Sequence, residues 1–404
     1  MEEHPQAREI VETLGKAGFV AYYAGGWVRD LLLQHPSDDI DIATNAPPET
    51  VQALFPHTVA VGIAFGIVVV IIDGHQYEVA TFRQDLDYLD GRRPSRIEFT
   101  TAQEDAKRRD FTINGMFYDP IKNEILDYVD GQKDLKAQLI RAIGNPHERI
   151  KEDRLRMIRA IRLSCRFNFR IEEKTQQAIL AHSSELFPAV AIERVWQEFV
   201  KGNNFGKLYP MIIQLHQFHL LQEIFPSLKN LTLEELKKQM GPTTYYPQAA
   251  PVIAHLLTLF PERTLQEELE ICHYLKISNI EQKFVTFLHH AKALIQINEP
   301  LEKVEWAYFY ADKHADTSLQ ILAAHLPIKE KELFLTKHVN QAANLQKSID
   351  QIRSNDLVLK SHHLMQAGVK PGKKMGELLN EGNRIAINEQ IFDPQSIIEK
   401  LNLS

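Results

Sequence analysis

The spacing of apolar residues divides the chain near residue 139. Before it, helix and strand patterns mix. Ala7 to Ala17 repeats apolar residues at three and four and predicts an amphipathic helix. Phe19 to Ala24 predicts a strand, and Trp27 to Leu33 the opening of a second helix. Asp39-Ile40-Asp41-Ile42-Ala43 alternates strictly, so both carboxylates share one face of a strand while Ile40 and Ile42 turn inward. Ile67 to Ile72 and Gln76 to Phe82 predict two strands joined across Asp73-Gly74, a hairpin signal. Asp85 to Pro94 is polar and punctuated by Gly and Pro, which predicts a mobile loop, and Glu124 to Tyr128 predicts a short strand. After Leu139 strand signals almost vanish and helical spacing runs to the C-terminus, with breaks near Gly202-Asn203-Asn204, Gly241-Pro242 and Glu299-Pro300. No internal repeat or low-complexity stretch interrupts it.

Three clusters carry chemistry. Gly25-Gly26 falls at the first strand-to-helix turn, where backbone N–H groups and the positive end of a helix favour phosphate oxygens, and Arg29 follows one turn on. Asp39 and Asp41 supply two hard oxygen ligands on one face, which suits Mg²⁺ shared with a nucleotide's phosphates. The second cluster is Lys107-Arg108-Arg109-Asp110-Phe111-Thr112-Ile113-Asn114: cations for a phosphate, and an acid that accepts from a sugar hydroxyl. A solvated basic helix end is the plainer alternative for it.

The third cluster runs from Glu152 to Arg162. On one helix of about 3.6 residues per turn, steps of three drift by roughly 60°, so Asp153, Arg156, Arg159 and Arg162 form a slanting band opposite a stripe of Leu155, Ile158 and Ile161. Arg141, Arg149, Lys151, Arg166 and Arg170 extend the positive field. A solvated face would balance acids and bases; this band is basic after Asp153. Cytosine and adenine each present an amino donor beside a ring-nitrogen acceptor, which an Asp acceptor and an Arg donor one helical step apart can match. Guanine and uracil present the reverse, and each mismatched hydrogen bond costs on the order of 1–3 kcal/mol.

Bulk composition narrows the setting. The chain has 404 residues, 44% of them hydrophobic, enough for two to four domains with cores of their own. A net charge of -7 excludes a globally basic nucleic-acid coat, so a polyanion must meet a local patch. Cys165 and Cys272 stand far apart, which excludes a disulfide framework and suits a reducing cytosol. The acidic start has the wrong charge for a signal peptide, and no apolar run reaches membrane-spanning length. A soluble cytoplasmic protein is expected.

Taken in order, these clusters resemble those of the class II tRNA nucleotidyltransferases (CCA-adding enzymes) and the related bacterial poly(A) polymerases, within the polymerase-β-like nucleotidyltransferase superfamily. The likeness runs from Gly25-Gly26 to Glu193-Arg194-Val195-Trp196-Gln197-Glu198-Phe199, with a faint echo at Gly368 to Gly372. It implies an α+β fold: a nucleotidyltransferase head at 1–139, then an all-helical neck for nucleotide selection at 140–205, a body at 206–300 and an RNA-binding tail at 301–404. It implies that Asp39 and Asp41 are catalytic and bind Mg²⁺, that Gly25, Gly26 and Arg29 hold the triphosphate, and that Arg109 and Asp110 meet phosphate and ribose. Asp153 and Arg156 match the amino-acid template, Arg159 and Arg162 the triphosphate side, Glu78 a third carboxylate, and Glu193 and Arg194 a motif that steadies the template helix. The implied partners are tRNA, with ATP and CTP as substrates, and no membrane. Gln34, His35, Gly115 and Leu163 depart from the usual pattern without removing a charged group.

The length of Arg83 to Arg96 argues for A addition, alone or after C. A poly(A) polymerase is the alternative within the family, set back by the lack of a long basic C-terminal extension. An RNA-binding module with a degenerate head and a small-molecule nucleotidyltransferase are the alternatives outside it. His289-His290 and His362-His363 lack a sequence-adjacent Asp partner and are expected to be surface or core histidines rather than a metal phosphohydrolase site. Lys370 to Gly376 reads equally as a phosphate contact and as a plain basic turn.

Overall fold

The computed structural model describes residues 4–35, 37–62, 65–88, 94–297 and 300–402. The chain separates into two compact units, 1–233 and 234–404. The first contains a seven-stranded sheet. Its strands are β1 (Ala21–Ala24), β2 (Asp41–Thr44), β3 (Thr58–Gly62), β4 (Ile67–Ile72), β5 (His75–Thr81), then, after a separate hairpin of β6 (Arg83–Tyr88) and β7 (Pro94–Phe99), β8 (Phe117–Asp119) and β9 (Glu124–Leu126). The spatial order is β3-β4-β5-β2-β1-β8-β9. Among the described residues, only the β2–β5 pairing in it is parallel; the others run antiparallel.

The turn between β4 and β5 has positive φ at both Asp73 (50°) and Gly74 (80°), the twist a two-residue hairpin loop needs. Helices α1 (Pro5–Lys16), α2 (Gly26–Leu32), α3 (Pro48–Leu54), α4 (Ala102–Arg108) and α5 (Gly131–Lys136) surround the sheet. Alternation sends Ile42 and Ala43 to opposite faces; Ala43 joins Ala24, Phe82 and Phe117 against Ala106 of α4. This face carries on past Ala43 to Asp41 and Asp39, and Arg109, just after the helix that caps it, lies near enough to Asp41 to lower its pKa.

Two expectations are corrected here. Asp85 to Pro94 is not simply a loop: Asp85 to Tyr88 pairs with Pro94 to Ile97 as a two-stranded ribbon, while residues 89–93 lie outside the described residues. The segment's polar, Gly- and Pro-punctuated sequence carries no hydrophobic alternation, so it reads as loop. Strand structure also does not stop at 139. β10 (Leu139–Ile140) and β11 (Arg170–Ile171) form a small parallel pair.

Past the sheet come α6 (Pro146–Glu152), α7 (Leu155–Phe167), α8 (Glu173–His182), α9 (Ile192–Asn204), α10 (Leu208–Gln217) and α11 (Leu220–Ile224). The expected single helix from Glu152 to Arg162 is two. Asp153 is extended (φ -149°, ψ 104°), and its carboxylate accepts from the Leu155 N–H at 3.1 Å. An acid able to hold the first free N–H of α7 starts a new helix there.

The second unit is helical. Thr264 with Glu267 and Ser278 with Glu281 form reciprocal capping boxes that fix two of its helix starts. Its core gathers Ala307, Phe309, Tyr310, Leu319 and Ile349, with a smaller cluster around Leu359, Leu364 and Ile397. His289 pairs with Glu268 at 3.0 Å, and the rings of His362 and His363 lie 3.9 Å apart. Lys370 to Gly372 leads into the helix Lys373–Glu389. Cys165 and Cys272 are free, and burial pushes both thiols up to about 12. Among the described residues, no helix is long and apolar enough to cross a membrane.

Candidate active site

β2 sets the first part of the site. Asp41 pairs in register with Ala24, the residue before Gly25-Gly26, and Ile42 pairs with Val79, which brings Glu78 level with Asp41 on the neighbouring strand. Asp39, Asp41 and Glu78 are exposed, while Ile40, Ile42 and Val79 are buried. The Asp41 carboxyl reaches solvent, yet the protein around it raises its pKa to about 6. Loss of hydration is the largest cause, Asp39 and Glu78 add to it, and Arg109 opposes. Among the described residues, no group of three or more His, Cys, Asp or Glu is drawn together tightly enough to enclose a metal unaided.

Gly25 gives Arg109 its place. Its φ of 70° and ψ of -126° suit glycine, and a Cβ there would lie 2.9 Å from Arg109 Nη1. Arg109 also lies over the Phe117 ring at 4.9 Å and donates through Nε and Nη2 to buried Asp105, at 3.1 and 3.0 Å. Arg108 reaches the same carboxylate. Burial alone would raise Asp105, but the two arginines hold it below the usual carboxylate range.

The arginine row on α7 is paired almost step for step. Arg156 donates to Glu152 and to the Arg149 carbonyl, both at 2.6 Å, and to the Arg108 carbonyl at 3.4 Å. Arg159 pairs with Asp110 at 2.6 Å, Arg162 with Glu198 at 2.5 Å, and Arg166 with Asp30 at 3.0 Å. The acids that the α7 sequence lacks are thus supplied by α2, α6, α9 and the segment after α4. Burial works against the Asp110 charge, but Arg159 and the Asn114 amide keep it well below the carboxylate range. Asp110 in turn raises Arg159.

Asp153 and Arg156 are close in the chain but are not each other's partner. Arg194 of α9 grips Asp153 through both Nη groups, at 3.1 and 2.7 Å. Each half of the expected acceptor–donor pair therefore has its own brace, and neither consumes the other.

Of the remaining expected residues, Gly26 opens α2 and Arg29 is only 4% exposed. Arg29 donates to both oxygens of Asp30 at 2.9 Å and to Asn114 Oδ1 at 2.5 Å, and loss of hydration lowers its pKa to about 10 although Asp30 opposes. It meets the site through Asn114. The bracing acids Glu152 and Asp105 stand four residues before Arg156 and Arg109, a helical charge spacing that could have flagged them. Nothing in sequence links Asp30 to Arg166 or Glu198 to Arg162, because those partners are distant along the chain.

The sequence matches the family model for the Poly A polymerase head domain over residues 21–141, and the model "Probable RNA and SrmB- binding site of polymerase A" over 168–232. It is 34% identical to the CCA-adding enzyme of Ligilactobacillus salivarius, over 98% of this chain and 96% of that protein. It is 31% identical to that of Lactobacillus helveticus, with the same coverage. The structure aligns with the Bacillus stearothermophilus CCA-adding enzyme in complex with CTP at a TM-score of 0.77 and 27% identity, over 99% of this chain and 98% of that one. The Thermotoga maritima enzyme complexed with tRNA shares the fold at a TM-score of 0.67 and 21% identity, over 99% and 95%. With the polymerase-β-like head, the helical remainder and full-length relatives all in agreement, the chain belongs to the family of CCA-adding enzymes and bacterial poly(A) polymerases.

Proposed function

We propose that this chain adds C, C and A to the 3′ end of tRNA from CTP and ATP, without a nucleic-acid template, releasing pyrophosphate at each step. One observation carries the reading. The short helix α4 ties the two halves of the chemistry together: Arg109, after its last residue, is near enough to Asp41 to oppose the rise in its pKa, and the Arg108 carbonyl accepts from Arg156 at 3.4 Å. The choice of CCA over poly(A) synthesis rests on full-length similarity to proteins named CCA-adding enzymes and on the related CTP complex.

Asp39 and Asp41 are the proposed catalytic and metal-binding pair, with Glu78 beside them. The donor set fits Mg²⁺: oxygen ligands gathered at one strand edge whose mutual repulsion a divalent cation would relieve. When bound, that cofactor supplies positive charge that acidifies the RNA 3′-hydroxyl and steadies the leaving phosphates. Arg109 neutralises phosphate charge, and Gly25 and Gly26 let the backbone come close to it. Arg159 and Arg162 face the triphosphate side, and Arg29 supports it from behind. Asp110 accepts from the ribose hydroxyl. Asp153 accepts from the amino group of C or A while Arg156 donates to the ring nitrogen. The 3′-hydroxyl attacks the α-phosphate in line. Residues 140–205 act as the selecting neck, and the helices of 206–300 and 301–404 as the body and the RNA-holding tail. The cytoplasm is the proposed location.

The test uses tRNA lacking its terminal CCA, with Mg²⁺. CTP alone should add two residues, and CTP with ATP three, after which extension stops. Long A-tails on unrelated RNA would identify a poly(A) polymerase instead, and extension only of tRNA already ending in CC would identify an A-only enzyme.

A further inference from the structure

Six side chains close a ring between α7 and the head, and that ring gives a role to Asp30. Arg166 of α7 donates to Asp30 Oδ2 at 3.0 Å. Asp30 holds Arg29 on both oxygens, and Arg29 Nη1 donates to Asn114 Oδ1. Asn114 Nδ2 donates to Asp110 Oδ1 at 3.1 Å, and Asp110 Oδ2 accepts from Arg159, back on α7 two turns before Arg166. The Phe167 ring lies against both guanidinium groups, its centroid 4.7 Å from Arg29 and 4.6 Å from Arg166. Asp30, Arg29 and Asn114 are 3%, 4% and 8% exposed, so water does not compete for these bonds.

The ring has one direction. Arginine only donates and a carboxylate only accepts, so the amide between them must turn Oδ1 to Arg29 and Nδ2 to Asp110. Without Arg29 held in place, only the bond to Asp110 keeps the amide in that orientation. Turned over, it would aim its oxygen at the Asp110 carboxylate, which would then lose one of its donors, keep the Phe111 N–H at 2.8 Å and Arg159, and shift its position. We propose that Asp30 is a positioning residue for nucleotide recognition, acting through Arg29 and Asn114 to fix the Asp110 oxygen that accepts from the ribose hydroxyl.

The inference rests on the function proposed above, and deepens it by assigning sugar selection to a residue that does not touch the nucleotide. The test compares wild type, Asp30→Asn and Asn114→Ser for extension of tRNA ending in CC with ATP and with 2′-deoxyATP, alongside thermal midpoints. Asp30→Asn should raise the KM for ATP and cut the preference for ATP over 2′-deoxyATP, each on the order of tenfold, with kcat at saturating ATP changed by about threefold or less. Asn114→Ser leaves the Arg29–Asp30 pair intact and should shift the same preference in the same direction, which decides the matter should Asp30→Asn not fold. An unchanged sugar preference in the folded variants, with kcat falling in step with thermal midpoint, would reduce Asp30 to a structural brace and overturn the inference. A wild-type chain that extends no tRNA would instead overturn the functional proposal.

Discussion

The end of β2 and the face of α7 handle charge by opposite rules. At β2, loss of hydration first, then Asp39 and Glu78, raise Asp41, and Arg109 opposes them. Along α7, Arg156, Arg159, Arg162 and Arg166 each rest on a carboxylate from another element. A charge with a partner already in place keeps its geometry and has less to gain from a ligand. A charge crowded by its own kind gains most from a ligand of opposite sign. The strand edge is therefore where charge is to be supplied from outside, and the helix is where position is stored.

The largest effects should come from the unpaired side. Asp39→Ala and Asp41→Ala should each slow single-turnover extension on the order of 10³-fold or more, while tRNA affinity in a gel-shift stays within about twofold. A loss below tenfold would break the comparison by showing that these acids are not where external charge is used. Removing a paired group should change selection instead of abolishing chemistry. Arg156→Ala should raise U and G incorporation relative to C and A by on the order of 10–100-fold, read by competition between labelled triphosphates. Glu152→Gln, which removes the brace but leaves the arginine, should move the same ratio by roughly threefold to tenfold. If Glu152→Gln matched Arg156→Ala, the brace rather than the arginine would be the selecting group.

Gly25 sits where the two regions meet, so its substitution sharpens the boundary between them. Alanine there must adopt a positive φ and meets Arg109 Nη1 at 2.9 Å. The guanidinium has to leave Asp105 or the turn has to shift. Gly25→Ala should raise the KM for both triphosphates by on the order of tenfold without altering the choice between C and U. A change in base choice would mean that Arg109 and Arg156 are set together through α4.

What could be seen in the chain follows the same division. Features made by neighbours in sequence were legible: the alternation that exposes Asp39 and Asp41 over Ile40 and Ile42, the Asp73-Gly74 hairpin, and the apolar stripe of Leu155, Ile158 and Ile161. The break at Asp153 was not, because a helix-period pattern passes through it unchanged and only the bond from the Leu155 N–H reveals the new start. The pairing of Arg162 and Arg166 was also hidden. Asp30 lies 136 residues from Arg166 and Glu198 lies 36 from Arg162, distances at which only the folded chain brings opposite charges together. The ribbon of β6 and β7 escaped for another reason: its sequence is polar and punctuated by Gly and Pro, so it shows no hydrophobic alternation.

The smallest predicted effect concerns stability and separates it from activity. Asp41 ordinarily titrates near 3.8 and here near 6, so between those values the folded chain binds a proton that the unfolded chain has released. The ionised carboxylate is thus a cost to the fold, absent well below pH 4, growing as pH rises, and complete above about pH 6. Because Asp41 is exposed, screening reduces that cost, and Asp41→Asn should raise the thermal midpoint by roughly 2 °C at pH 7.5 in chelator. The gain should shrink to nothing as the pH is lowered to about 4. Added Mg²⁺ should raise the midpoint of wild type and not of the variant. A variant less stable than wild type at pH 7.5 would mean that the crowding at β2 is already compensated within the protein, and the contrast with α7 would fail.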